Sequence, residues 1–105
     1  MIVKNRIKKY SEFQKVISDG EVTRTNLFVF YTLPNTLGYT RIGISVPKKT
    51  GTAVLRNKVK RQIRAAISAS TDYSKSIDLV MIVRKGYDIE NFTSVKQEIQ
   101  NQLKK

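Results

Sequence analysis

The run Leu55-Arg56-Asn57-Lys58-Val59-Lys60-Arg61-Gln62-Ile63-Arg64 carries the densest chemistry in the chain. On a helix at about 100° per residue, Lys60, Arg64, Asn57 and Arg61 share one arc beside an apolar stripe of Leu55, Val59, Ile63 and Ala66. Side chains three or four residues apart stand about 5 to 6 Å from one another, a spacing that suits phosphates along a folded RNA backbone. Asn57 adds a neutral donor and acceptor for a base edge, a 2′-hydroxyl or the water of a hydrated metal ion. A basic face that is merely solvated is the plainer alternative, and composition alone places nucleic-acid binding only somewhat above it.

The charge balance points the same way. Across 105 residues, 20 Lys and Arg stand against 8 Asp and Glu, giving a formal charge of +12. Residues 22 to 71 contain nine cations and no carboxylate. Lys4, Arg6, Lys8 and Lys9 form a second concentration near the start, and Lys48 and Lys49 precede the basic helix. Like charges at this density repel, so their presence without interleaved acids calls for a counter-charge from outside, and nucleic acid leads. Lys75, Lys85 and Lys96 are scattered and read as ordinary solvated positions.

The absent residue types exclude whole classes of chemistry. With no Cys and no His, a thiol nucleophile, a Ser-His-Asp triad, an imidazole base, a structural zinc site and a disulfide all lack their atoms. A protein that cleaves RNA by itself would need a general base or a metal-holding carboxylate pair. The only close acids, Asp19 with Glu21 and Asp88 with Glu90, fall beside expected turns and read as turn and cap residues. The longest apolar stretches, Leu27 to Tyr31 and Leu79 to Val83, are far short of a membrane span. A soluble, cytoplasmic protein is the expectation, and a lipid surface ranks last among partners.

These groups must be positioned by a small set of elements. Ser11-Glu12-Phe13-Gln14 has the pattern of a capping box, so a short helix should start there, with Phe13, Val16 and Ile17 on one face and Gly20 as its stop. Val22 to Arg24 and Leu27 to Leu33 read as strands. In the second, alternation puts Val29 and Tyr31 on one face and Phe28 and Phe30 on the other. Residues 41 to 46 alternate as well, with Ile42, Ile44 and Val46 inward and Arg41, Gly43 and Ser45 outward, a strand buried on one face. After Gly51 the period becomes helical and should fray around Ser68 to Asp72. Ile77 to Arg84 is apolar on both faces, hence a central strand. A last helix runs from near Asn91–Thr93 to Leu103, with Phe92, Val95, Ile99 and Leu103 spaced to cover the sheet. Residues 1–105 form one α+β domain, in the order α-β-β-β-α-β-α.

The segment from Ser45 to Val54, Ser-Val-Pro-Lys-Lys-Thr-Gly-Thr-Ala-Val, followed by Arg56-Asn57-Lys58-Val59-Lys60-Arg61 and Arg64, resembles the signature of the bacterial ribonuclease P protein subunit. The likeness extends to Lys4-Asn5-Arg6-Ile7-Lys8-Lys9, Glu12-Phe13-Gln14-Lys15-Val16, Phe28-Val29-Phe30-Tyr31 and Asp78 through Lys85. It implies a ribonucleoprotein endonuclease that removes the 5′ leader from precursor tRNA. The catalyst would be the RNA subunit with its magnesium ions; the protein, inactive alone and holding no catalytic residue, metal or cofactor, would assist. The implied fold is a small sandwich with a left-handed β-α-β crossover (ribosomal protein S5 domain 2-like), against the general right-handed preference.

By motif position, Arg56, Asn57, Lys58, Lys60, Arg61 and Arg64 would face the catalytic RNA. Phe13, Ile17, Val29, Tyr31 and Arg84 would form a cleft for the single-stranded leader, and Lys4, Arg6, Lys8, Lys9, Lys48 and Lys49 would add basic contacts. Aromatic platforms flanked by cations suit unpaired nucleotides, at about 1 to 3 kcal/mol per stacked base. Three positions depart from the family pattern: Lys58 where Arg is usual, Thr52 where Asn is common, and Ile17 where an aromatic is frequent. Beside a protein that itself cleaves RNA, a second rival is a ribosomal or other structural RNA-binding protein, which composition and the α+β outline suit equally well; only the signature and the cleft argue against it.

Overall fold

The structure is a computed structural model that describes residues 5–70 and 73–104. Helix α1 (Tyr10–Asp19) starts one residue before the expected capping box. Lys9 occupies the N-cap position, no side chain caps the helix, and Ser11 lies in its first turn. The capping box does not form because the helix starts upstream of it: the Phe13 N–H donates to the Lys9 carbonyl at 3.0 Å, which puts Ser11 inside the first turn rather than at the cap. Gly20 ends the helix as expected, but in an extended conformation (φ −77°) rather than a left-handed one. Space is what requires the glycine, since a Cβ there would collide with the Val16 carbonyl oxygen.

Strands β1 (Glu21–Arg24), β2 (Phe28–Pro34), β3 (Arg41–Ser45) and β4 (Ile77–Val83) form one mixed sheet in the order β1-β2-β4-β3. The pairs β1/β2 and β2/β4 are antiparallel, whereas β3 and β4 are adjacent and parallel. A parallel pair needs a crossover. Here it consists of a short 3-10 turn (Lys48–Thr50) and helix α2 (Ala53–Ser70). Thr52 starts α2 by accepting the Leu55 N–H on its hydroxyl at 3.2 Å, so the hydroxyl supplies a cap as Asn would. The helix holds through Ser70; residues 71 and 72 lie outside the described residues. Helix α3 (Phe92–Leu103) begins at Asn91, whose side chain accepts from the Ser94 N–H at 3.3 Å. The order is the α-β-β-β-α-β-α expected of a small α+β domain.

One face of the sheet carries the core. Phe28 and Phe30 from β2, Ile42 from β3, and Leu79, Met81 and Val83 from β4 pack under Val59, Ile63, Ala66 and Ile67 of α2 and Val95 and Ile99 of α3. Phe92 does not join them and is 38% exposed. It is the first residue of α3, just after the Asn91 cap, and there the helix has yet to turn its buried stripe onto the sheet.

The opposite face carries α1. Alternation in β2 holds, with Phe28 and Phe30 fully buried and Val29 and Tyr31 half-buried on the α1 side. The expectation that β3 buries one face only does not hold, because Gly43 on the outward side is also buried. Phe13 of α1 covers it. Among the described residues no helix is long and apolar enough to cross a membrane.

Candidate nucleic-acid interface

The basic residues of α2 divide into two rows. Val59, Ile63 and Ile67 are fully buried, and the helical repeat sets Arg56, Lys60 and Arg64 beside them as a half-buried row four residues apart. Asn57, Lys58 and Arg61 stand further round the helix and are exposed. Half-burial of long cationic side chains leaves their stems against protein. Among the described residues the only ion pairs are those of Arg41 with Glu12 and Asp78, so no cation of α2 has a carboxylate partner. The Nε of Arg56 is buried without a hydrogen-bond partner among the described residues.

Between α1 and the sheet lies a groove of about 420 Å³. Phe13 and Ile17 form its helical wall, Ser45 and Ile82 line its sheet side, and Lys8, Lys9 and Tyr10 stand along it. Among the described residues no Asp or Glu lines it. Tyr10 is 77% exposed, an aromatic ring presented to solvent beside two cations. A smaller hollow of about 140 Å³ joins this groove to α2, with Arg6, Lys60 and Arg64 around Phe13 and the Gly43 backbone. The N-terminal segment is held there by a bridge between Arg6 and Ile42 and by Ile7 N–H donating to the Ile42 carbonyl at 3.1 Å. Asn5 is buried and donates to the Thr40 carbonyl at 2.7 Å.

The residues expected in one cleft are thus distributed. Phe13 and Ile17 line the groove. Val29 pairs with Ile82 across the strands and sits beside the sheet side of the groove, while Tyr31 pairs with Val80 one step further from it. Neither of these two lines the groove. Arg84 lies past the end of β4, donates to the Thr25 carbonyl at 2.7 Å and lines a separate hollow with Lys49, Leu55, Val59 and Tyr87. Lys48 is exposed on the 3-10 turn, and Lys4 lies outside the described residues.

Several groove residues escape sequence reasoning. Ser45 shares the outward face of β3 with Gly43, and Ile82 shares the face of Val80, so alternation marks their side without saying what lies over it. Tyr10 precedes Phe13 by three positions on α1, a spacing that puts both on one side of the helix.

Among the described residues Arg41 is the only cation held by carboxylates. Asp78 accepts from its Nε at 3.0 Å and its Nη2 at 2.7 Å, and Glu12 accepts from its Nη1 at 2.8 Å. The Asp78 hydrogen bonds raise the Arg41 pKa above its ordinary value despite the opposing effect of burial. Elsewhere, burial pushes the Tyr87 phenol up to about 12. That hydroxyl donates to the Gln62 side chain at 2.8 Å, tying α2 to the loop after β4. Asp88 accepts from the Glu90 N–H at 2.9 Å, so this acid closes a turn. No group of three or more His, Cys, Asp or Glu that could hold a metal occurs among the described residues.

Comparison with known proteins supplies the context for this surface. The family profile described as Ribonuclease P matches residues 1–105. The ribonuclease P protein component of Streptococcus pyogenes serotype M5 (strain Manfredo) is 41% identical over 99 residues, covering 94% of this chain and 83% of that protein. The structure of the RNase P protein from Thermotoga maritima superposes with a TM-score of 0.82 at 30% identity, covering 94% of each chain. A Staphylococcus aureus RNase P protein mutant with defective mRNA degradation activity gives a TM-score of 0.79 at 33% identity, covering 96% of this chain and 89% of that one.

Proposed function

The chain belongs to the ribonuclease P protein family and is a protein component of that ribonucleoprotein; from that premise we propose that it assists the catalytic RNA in removing the 5′ leader from precursor tRNA, with the groove under α1 taking the unpaired leader and α2 docking on the RNA. The observation that carries this reading is the continuity of two surfaces of different character. A groove walled by Phe13 and Ile17, with no Asp or Glu among its described lining residues, runs through the hollow at Arg6, Lys60 and Arg64 into a helix whose cations have no carboxylate partner among the described residues.

Each surface has its own task. The groove offers an aromatic wall and aliphatic sheet residues to bases, and Lys8 and Lys9 to the phosphates between them. Stacking of this kind has little sequence preference, as a site for varied leaders requires. Arg56, Lys58, Lys60, Arg61 and Arg64 neutralise RNA phosphates, while Asn57 is placed for a hydrogen bond to a base or ribose. If about four phosphates are neutralised, affinity for the RNA falls about a hundredfold between roughly 50 and 200 mM salt.

Cleavage itself is assigned to the RNA. In this reading the magnesium ions of the reaction belong to the RNA as well. By adding fixed positive charge the protein reduces the magnesium needed to balance the folded RNA. The implied partners are the ribonuclease P RNA and precursor tRNA, and the implied compartment is the cytoplasm.

The test is cleavage of a precursor tRNA at low magnesium by a bacterial ribonuclease P RNA, with the protein, without it, and with the protein alone. Rescue by an otherwise inert protein supports the reading. Cleavage by the protein alone would assign the chemistry to its carboxylates, and absence of rescue would favour a structural RNA-binding role.

A further inference from the structure

We propose that Arg41 is a positioning residue, which sets the tilt of α1 over the sheet by bridging Glu12 to Asp78 and thereby sets the width of the groove. The inference rests on the reading of that groove as the leader site.

The bridge is built from the sheet outward. The Asp78 side chain, 8% exposed, grips the guanidinium through both of its oxygens, and the Asn35 side chain donates to the same carboxylate at 2.8 Å. Asn35 is itself fixed by donating to the Tyr39 carbonyl and accepting from the Ser76 hydroxyl. A planar guanidinium held at two points has its remaining edge aimed in one direction. That edge, Nη1, meets Glu12 of α1 at 2.8 Å.

Among the described residues no other side-chain hydrogen bond or ion pair joins α1 to the sheet. Val16 is its only fully buried residue, and no side chain caps its first turn. Phe13 follows Glu12 in the chain and rests on Gly43, two residues along β3 from Arg41. The ion pair and the ring contact therefore hold the same helical turn to the same strand. Without the pair, α1 pivots on Val16, and Phe13 and Ile17 shift together relative to Ser45 and Ile82.

Electrostatics gives this proposal an opposite sign from simple charge attraction. Removing the Glu12 carboxylate takes a negative charge from a protein that binds a polyanion, so attraction alone predicts tighter binding of every RNA. Positioning predicts weaker binding of the leader despite the added net positive charge.

The experiment measures affinities of precursor and mature tRNA for the reconstituted holoenzyme, using the wild-type protein and the E12A, E12D and F13A variants, each checked for folding by thermal melting. E12A should lose about two- to fivefold in precursor affinity, the scale of one partly exposed ion pair, with mature tRNA unchanged. E12D, which keeps the charge on a shorter arm, should recover part of that loss. F13A, which alters the groove wall directly, should lose precursor affinity as well. If F13A weakens precursor binding while E12A leaves it unchanged or tighter, Arg41 has no positioning role and the groove reading stands. Equal losses for precursor and mature tRNA in E12A would show a merely structural pair and also overturn the proposal. If F13A has no effect, the groove reading itself falls and the proposal falls with it.

Discussion

Phe13 lies directly on Gly43: a Cβ added to the glycine would stand 2.7 Å from the ring Cε2 and 3.0 Å from Cδ2. Such separations are not tolerated, so one of the two groups must move. The ring is the end of a rotatable side chain at the edge of the groove, whereas Gly43 is held in the ladder between β3 and β4. Gly43→Ala should therefore displace Phe13 and leave the strand in place. The alanine also relieves the entropic cost of a strand glycine, which offsets part of the strain, so net stability should change by less than about 1 kcal/mol. Precursor affinity should fall several-fold with mature tRNA unaffected, as competition binding to the holoenzyme will show.

The exposed and half-buried cations of α2 separate binding from stability. Lys60 and Arg61 have no ion-pair partner among the described residues, and alanine is a better helix former than either. Replacing both with Ala should leave the melting temperature within a few degrees of wild type, or raise it. Assembly with the catalytic RNA should weaken about tenfold or more, at about 1 kcal/mol per lost charged contact. Activity titrated against magnesium should show the defect most strongly at the lowest concentrations.

Ile17 is half-buried on the groove wall and faces the space beside Phe13. An aromatic ring there would extend the stacking surface by one base. Ile17→Phe should tighten precursor binding by up to about 1 kcal/mol, near fivefold, the low end of the stacking range because part of the ring would pack on protein. An unchanged precursor affinity in a folded variant would place the leader bases away from this wall.

Tyr87 links stability to alkaline pH. Burial raises its pKa from 10.0 to about 12. The folded state holds the phenolic proton more tightly than the unfolded state, so this contribution is complete below pH 10 and declines as pH rises from about 10 to about 12. Tyr87→Phe should cost about 1 kcal/mol near neutral pH through loss of the Gln62 hydrogen bond. It should also flatten the decline above pH 10. Urea midpoints of both proteins at pH 8 and pH 11.5 check the sign, since the gap between them should narrow or reverse at the higher pH.

Much of this molecule is written locally. The period of 3.6 over residues 53–67 and the period of 2 over 41–46 depend on neighbours within one or two turns, and both elements form where those patterns lie. Apolar residues on both faces of Ile77–Val83 mark it as central, and β4 does lie between β2 and β3. The run from Arg56 to Arg64 carries its unpaired charge in the composition itself, because residues 22 to 71 contain no acid to neutralise it. Family membership was likewise legible, since it rests on residue identities in order.

What lies over each face was decided only by tertiary structure. Hydrophobic alternation placed Gly43 outward, and it took Phe13, thirty positions earlier in the chain, to bury it. The pattern Ser11-Glu12-Phe13-Gln14 is a sound local cap, yet the helix starts upstream at Tyr10 and takes Ser11 into its first turn, while Glu12 pairs with Arg41, 29 residues away. Arg84 follows a strand whose alternate residues face α1, but beyond the strand's end its guanidinium turned to the Thr25 carbonyl, 59 residues away. A charged side chain takes whichever partner the fold brings within reach, and reach between distant segments is fixed by how the sheet orders its strands. The sequence by itself determined where cations and aromatic rings lie along the chain; the packing of α1 against the sheet decided which of them share a groove.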